Sequence, residues 1–239
     1  MTIRRGTISN DARSRIKLAF QPVALGLGRL GLTPNGLTLI GLAITVVGAV
    51  LLSQQLWVVG GLVVFVGGVF DMFDGTLARA TGRVSPFGAF LDSVSDKTGE
   101  IVVYLGIIAG LGAAGIREGP LLAATAMGAG VMVTYTRARS EGLGFTTGTG
   151  MAAVGVMPRE VRLVILSLGL VLAGLDPVNL VPPPGSACIE SCLQPGGIIL
   201  LGALGIITIG ATVATIQRIL HVRSQARQQL SSHSTETNT

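Results

Sequence analysis

Residues 57–96 read WVVGGLVVFVGGVFDMFDGTLARATGRVSPFGAFLDSVSD, and the fold turns on them. An apolar run over Val58–Asp71 continues as a polar helical extension to Ala80, and a second apolar run opens at Phe87. Asp71 and Asp74 stand three apart where the first run ends. Asp92 and Asp96 stand four apart in the first turns of the second. On helices, those spacings place each pair on one face. A short loop joins the two helices, so they are expected to be antiparallel neighbours with their acidic faces meeting.

The rest of the chain agrees with this pair as part of a membrane bundle. Hydrophobic residues make up 49% of the 239 residues and charged residues only 12%, with a mean hydropathy of +0.68. Soluble domains carry about 25% charged residues, so a soluble enzyme, a disordered chain and a disulfide-stapled secreted domain are excluded. A span needs roughly 20 apolar residues at about 1.5 Å each. Six candidates follow: about Gly36–Leu56, Val58–Asp71, Phe87–Ala113, Leu121–Arg139, Val161–Leu175 (continuing toward Val181) and Gly196–Leu220. Before them, Ile16, Ala19, Phe20, Val23, Ala24 and Leu27 recur at helical spacing among Arg13, Arg15 and Lys17. This pattern predicts an amphipathic helix on the membrane surface. The expected fold is an all-α integral membrane protein of six transmembrane helices preceded by an interfacial helix. Its parts are 1–30 (cytoplasmic tail and juxtamembrane helix), 31–223 (six-helix domain) and 224–239 (disordered polar tail).

With the N-terminus inside, every Lys and Arg except Arg117 falls on the inner side or on the adjoining helix ends. The positive-inside rule then sets the topology. The net charge of +5 and the pI of about 10.0 reflect an anionic leaflet, not a nucleic-acid partner. The start of the chain has no apolar h-region, so no cleaved signal peptide is expected. Cys188 and Cys192 fall in the outer loop Asp176–Pro195, where the pairing of the two thiols stays open. The glycine-rich loop Gly142–Gly150 lacks a P-loop lysine and reads as a flexible inner loop. His221 and His233 read as solvated.

Four carboxylates facing one another near a membrane need a counter-charge, because mutual repulsion and desolvation both oppose their ionised forms. An intramembrane carboxylate marks a functional site by default. Oxygen-only ligands favour Mg²⁺, Mn²⁺ or Ca²⁺ over zinc, and four carboxylates suffice for two ions clamping a phosphoryl transfer. Gly75 and Ala78 let a ligand approach the helix. Arg79 offers a planar donor fork for phosphate. Pro86 suits a helix start, with Ser85 and Gly88 beside it.

Asp71-Met-Phe-Asp74-Gly75-Thr-Leu-Ala78-Arg79, eight residues, Gly88, three residues, Asp92, three residues, Asp96 resembles the CDP-alcohol phosphatidyltransferase signature, with every position filled. The resemblance runs from about Lys17 to Arg223. It implies an integral-membrane homodimer that transfers the phosphatidyl group of a CDP-linked lipid, CDP-diacylglycerol, onto an alcohol and releases CMP. It implies two Mg²⁺ or Mn²⁺ ions per subunit and an active site facing the cytoplasm at the cell's inner (plasma) membrane. Asp71, Asp74 and Asp92 would be metal ligands, and Asp96 would touch metal and act as base. Gly75, Ala78 and Arg79 would contact the cytidine diphosphate.

Basic residues at the inner helix ends bear on the acceptor. Arg137 and Arg139, then Arg159 and Arg162, then Arg218 close the fourth span, open the fifth and close the sixth. Such a set suits a phosphate on the acceptor, although positive-inside bias accounts for any one of them. The same places resemble the phosphatidylinositol phosphate synthases of the family. By that resemblance Arg137, Arg159 and Arg218 would bind inositol phosphate. The turn Thr33-Pro34-Asn35-Gly36 and Ser85 would contact the CDP-lipid. Arg137 stands where lysine is usual. The spacing of Met157-Pro-Arg-Glu-Val-Arg162 leaves Arg159 and Arg162 competing for one role. A phosphatidylglycerophosphate synthase would need a similar basic pocket. A cation channel or transporter would place its carboxylates near mid-membrane, not at an inner helix–loop–helix.

Overall fold

The structure is a computed structural model and describes residues 21–145, 156–175 and 195–236, the last segment with side chains over 196–228. Every regular element among the described residues is an α-helix. In chain order they are α1 (21–29), α2 (Pro34–Ser53), α3 (Trp57–Ala80), α4 (Pro86–Ala113), α5 (Gly119–Gly142), α6 (Arg159–Gly174) and α7 (Pro195–Glu236). Both cysteines and residues 1–20, which hold most of the amphipathic stripe, lie outside the described residues, as do 146–155.

Among the described residues, three helices are long and apolar enough to cross a membrane by length and composition: α2, α3 and the Gly196–Gln228 part of α7. The other expected spans are weaker for visible reasons. The N-terminal part of α4 carries Asp92, Asp96, Lys97 and Glu100, and α5 is rich in Gly, Ala and Thr. With 16 residues, α6 is roughly 24 Å long, short of a hydrocarbon core of about 30 Å. Val47, Val50, Val59, Leu62, Phe65 and Val66 are exposed along α2 and α3, as suits a surface facing lipid.

Two helix starts share one design. Thr33 caps α2, its Oγ1 accepting from Gly36 N–H at 3.1 Å, with Pro34 at the first helical position. Ser85 caps α4 in the same way, accepting from Gly88 N–H at 3.0 Å, with Pro86 following. Each cap satisfies one of the donors that a helix start leaves open, and proline removes another. Between them Gly82, at φ 66, takes the left-handed conformation that ends α3.

Lipid gives helices no hydrophobic reason to associate, so close packing must hold them. A Cβ on Gly48 would come 3.0 Å from the backbone nitrogen of Val64, so only glycine lets α2 approach α3 there. The main core joins Leu52, Val64, Tyr104, Ile107, Leu170 and Leu204 from five helices. A smaller cluster seats Ala24 of α1 against Leu37, Phe73 and Leu77.

The last helix departs from expectation. The sequence reading ends the sixth span near Leu220 and leaves 224–239 disordered, yet α7 stays helical to Glu236. After Gly210 the segment contains neither glycine nor proline and is rich in Gln, Arg and Ala, so its polarity hides a sound helix propensity.

Candidate active site and metal centre

The antiparallel α3 and α4 bring the acidic faces together. Asp71, Asp74 and Asp92 each present one carboxylate oxygen, and the three lie within 4.8 Å of one another. Ligands on one hard cation at 2.0–2.6 Å are at most roughly 4–5 Å apart, so this spacing fits a shared divalent ion. An all-oxygen set suits Mg²⁺, Mn²⁺ or Ca²⁺.

Asp96 lies outside that cluster of three. It is held beside Asp71 by Arg159, the first residue of α6. Arg159 Nη1 donates to Asp71 Oδ2 at 2.9 Å and pairs with Asp96 Oδ1. The aspartates divide two hollows. Asp74 and Asp92 face an outer groove, while Asp71 and Asp96 face an inner cavity with Thr45, Ser95, Glu100 and Tyr104.

Asp74 is buried and fixed from both sides. Thr38 Oγ1 donates to its Oδ2 and Gly75 N–H to its Oδ1. Such outer partners set the direction in which a carboxylate offers its lone pairs, and losing one typically costs 10–100-fold in metal affinity. Thr38→Val is therefore expected to weaken Mn²⁺ binding about tenfold, read by manganese spin resonance on detergent-purified protein. An unchanged affinity would remove Thr38 from the metal centre.

The outer groove gathers most of the residues assigned to the CDP-lipid. Pro34, Asn35, Asp74, Gly75, Ala78, Arg79 and Ser85 all line it, with Thr38, Gly88 and Asp92. Thr33 and Gly36 form the cap beside it. The Arg79 guanidinium folds over Gly75, where a Cβ would stand 3.2 Å from Nη1. The positive charges of Arg159 and Arg79 both act on Asp92.

Burial separates the four arginines assigned to the acceptor. Arg159 remains 37% exposed at its side chain beside the aspartates. Arg162 is 3% exposed. Its Nε and Nη2 donate to Glu100 Oε1 at 3.0 and 2.8 Å, and its Nη1 to the Met157 carbonyl at 3.1 Å. Arg218 is buried and donates to the Val133 carbonyl. Arg137 is half-exposed and pairs with Glu141 at 2.9 Å. The charges of Arg137, Arg162 and Glu141 act on Arg218, and the ends of α5, α6 and α7 converge.

Sequence reasoning missed Thr38 and Glu100. Glu100 follows Asp96 by four and so shares its helix face, a signal that was readable. Thr38 gave no comparable sign, because its partner lies on another helix.

Comparison with known proteins bears on this geometry. Residues 31–217 match the family model for CDP-alcohol phosphatidyltransferase. The phosphatidylinositol phosphate synthase of Streptomyces avermitilis is 32% identical over 95% of this chain and 87% of its own. The archaetidylinositol phosphate synthase of Pyrococcus horikoshii is 36% identical over 64% of this chain and 77% of its own. Among solved structures, Mycobacterium tuberculosis phosphatidylinositol phosphate synthase with CDP-DAG bound superposes with a TM-score of 0.69 at 27% identity, covering 85% of this chain and 92% of that one. A second crystal structure of that enzyme is in complex with manganese and citrate. A sequence match across most of the chain thus coincides with a shared fold and with acidic residues gathered where a metal fits, and the chain belongs to the CDP-alcohol phosphatidyltransferase family.

Proposed function

We propose that this enzyme transfers the phosphatidyl group of CDP-diacylglycerol to inositol phosphate and releases CMP. The donor assignment is supported by the outer groove and by the similar enzyme with CDP-DAG bound. The acceptor assignment rests on one observation above all: Arg159 stands directly on Asp71 and Asp96, with Arg162 and Arg218 behind it. A phosphate held by Arg159 brings a neighbouring hydroxyl of the same molecule to Asp96.

In this reading the groove residues Thr33, Pro34, Asn35, Gly36, Gly75, Ala78, Arg79 and Ser85 hold and orient the CDP head. Asp71, Asp74 and Asp92, with Asp96 at the edge, would hold two divalent ions, which when bound would supply positive charge to neutralise a pyrophosphate and stabilise departing CMP. Asp96 accepts the proton of the acceptor hydroxyl. The freed oxygen forms a bond to the lipid-bearing phosphorus as the bond from that phosphorus to CMP breaks. Arg137, Arg159 and Arg218, with Arg162 behind them, supply the positive field for the acceptor phosphate.

The same proposal places all six helices α2–α7 across the plasma membrane, with the first 30 residues as a juxtamembrane segment and 31–223 as the catalytic domain. The active site then faces the cytoplasm, and the enzyme works as a homodimer. The basic inner helix ends support that orientation.

The test is CMP release by purified protein with CDP-diacylglycerol and Mg²⁺, comparing inositol phosphate, glycerol phosphate, free inositol and serine. Release with inositol phosphate alone is expected. Release with glycerol phosphate alone would keep the chemistry and reassign the enzyme as a phosphatidylglycerophosphate synthase. Ion flux in liposomes without any CMP release would overturn the reading.

A further inference from the structure

We propose that Glu100 is a positioning residue: by locking Arg162 it fixes the start of α6, and so aims Arg159 at the acceptor site. The inference rests on the acceptor reading above and concerns a residue that touches neither groove ligand nor cluster aspartate. Glu100 lies on α4 one helical turn beyond Asp96. Both of its oxygens are engaged: Oε1 receives two N–H bonds from Arg162, and Oε2 pairs with Lys97. Its side chain is 12% exposed and that of Arg162 only 4%.

The surroundings are shaped for this pair. On α5, a Cβ at Gly130 would stand 2.8 Å from Glu100 Oε1 and 3.5 Å from Arg162 Nε, so glycine leaves the room the pair occupies. Arg162 also donates to the Met157 carbonyl, and Met157 packs with Val133 of α5 and with Ala211 and Ala214 of α7. One guanidinium therefore ties α4 to the approach of α6. Arg159 is three residues away on the same short helix, on an adjacent position of its face. Removing one partner of a buried ion pair leaves an uncompensated charge, here near the cations Lys97 and Arg218. In this proposal the start of α6 shifts in response, and Arg159 moves with it.

The experiment compares full-length wild-type and Glu100→Gln protein in nanodiscs. Three quantities are read from each: KM for inositol phosphate, KM for CDP-diacylglycerol, and Mn²⁺ affinity. The latch predicts at least a tenfold rise in acceptor KM, with donor KM and Mn²⁺ affinity within about threefold. A merely structural role would move all three together, and that result overturns the proposal. So does an unchanged acceptor KM. Should Glu100→Gln fail to fold, Glu100→Asp keeps the charge but shortens its reach to Arg162, and is expected to show the same selective defect to a smaller extent; an ordinary acceptor KM there is equally fatal. Wild-type protein that neither binds nor turns over any phosphorylated acceptor would instead overturn the functional reading on which the latch depends.

Discussion

Asp96→Asn is expected to lower kcat about 10³-fold, within the 10²–10⁴ that a positioned general base contributes. That loss corresponds to about 4 kcal/mol of barrier. The substitution keeps size and position but removes the ability to accept a proton. Asp96 stands apart from the three oxygens gathered within 4.8 Å, so Mn²⁺ affinity and CDP-lipid binding should persist within a few-fold. The check is CMP release beside manganese binding on the same preparation. Near-normal turnover would remove Asp96 as the base. A large loss of metal affinity would make it chiefly a ligand.

Asp74→Asn is expected to do the reverse, weakening Mn²⁺ binding at least 100-fold and abolishing CMP release with it. The reason lies in the two donors already aimed at the carboxylate. Thr38 points its hydroxyl at one oxygen and Gly75 its N–H at the other. An asparagine that keeps its oxygen on Gly75 N–H turns its NH₂ toward Thr38, whose hydroxyl accepts it while donating to the Pro34 carbonyl, so an NH₂ takes the place of one carboxylate oxygen. It loses a formal charge and a well-directed ligand atom in the same step. Chelation of wild-type protein should reproduce the loss of turnover, and added Mn²⁺ should reverse the chelation but not the substitution. Affinity within threefold of wild type would take Asp74 out of the metal centre.

Much of this site was readable because its signals are local. Helical spacing puts Asp71 with Asp74 and Asp92 with Asp96, and the short loop at Gly82 makes the two helices neighbours; the structure then brings three of the four oxygens together. Other features depend on contacts between distant segments. Arg159 and Arg162 look equivalent in a sequence that runs Pro-Arg-Glu-Val-Arg. Only the position of Glu100 on α4, 62 residues earlier in the chain, buries one and leaves the other facing the aspartates. Thr38 was passed over for the same reason, since its partner is 36 residues away. The end of α7 hides for a different reason: its polar composition suggests disorder, although neither glycine nor proline interrupts it.

The paired caps at Thr33 and Ser85 carry a consequence for mutational scanning. Both helix starts border the same groove, through Pro34 and Asn35 on one side and Ser85 and Gly88 on the other. Each helix start presents roughly half a unit of positive charge from aligned peptide dipoles. That attraction belongs to the main chain, so truncating side chains one at a time leaves it in place. A scan of the groove will therefore under-report its hold on anions. Competitive inhibitors that place a compact anion between the two caps should tolerate Arg79 variants better than those that rely on the guanidinium alone.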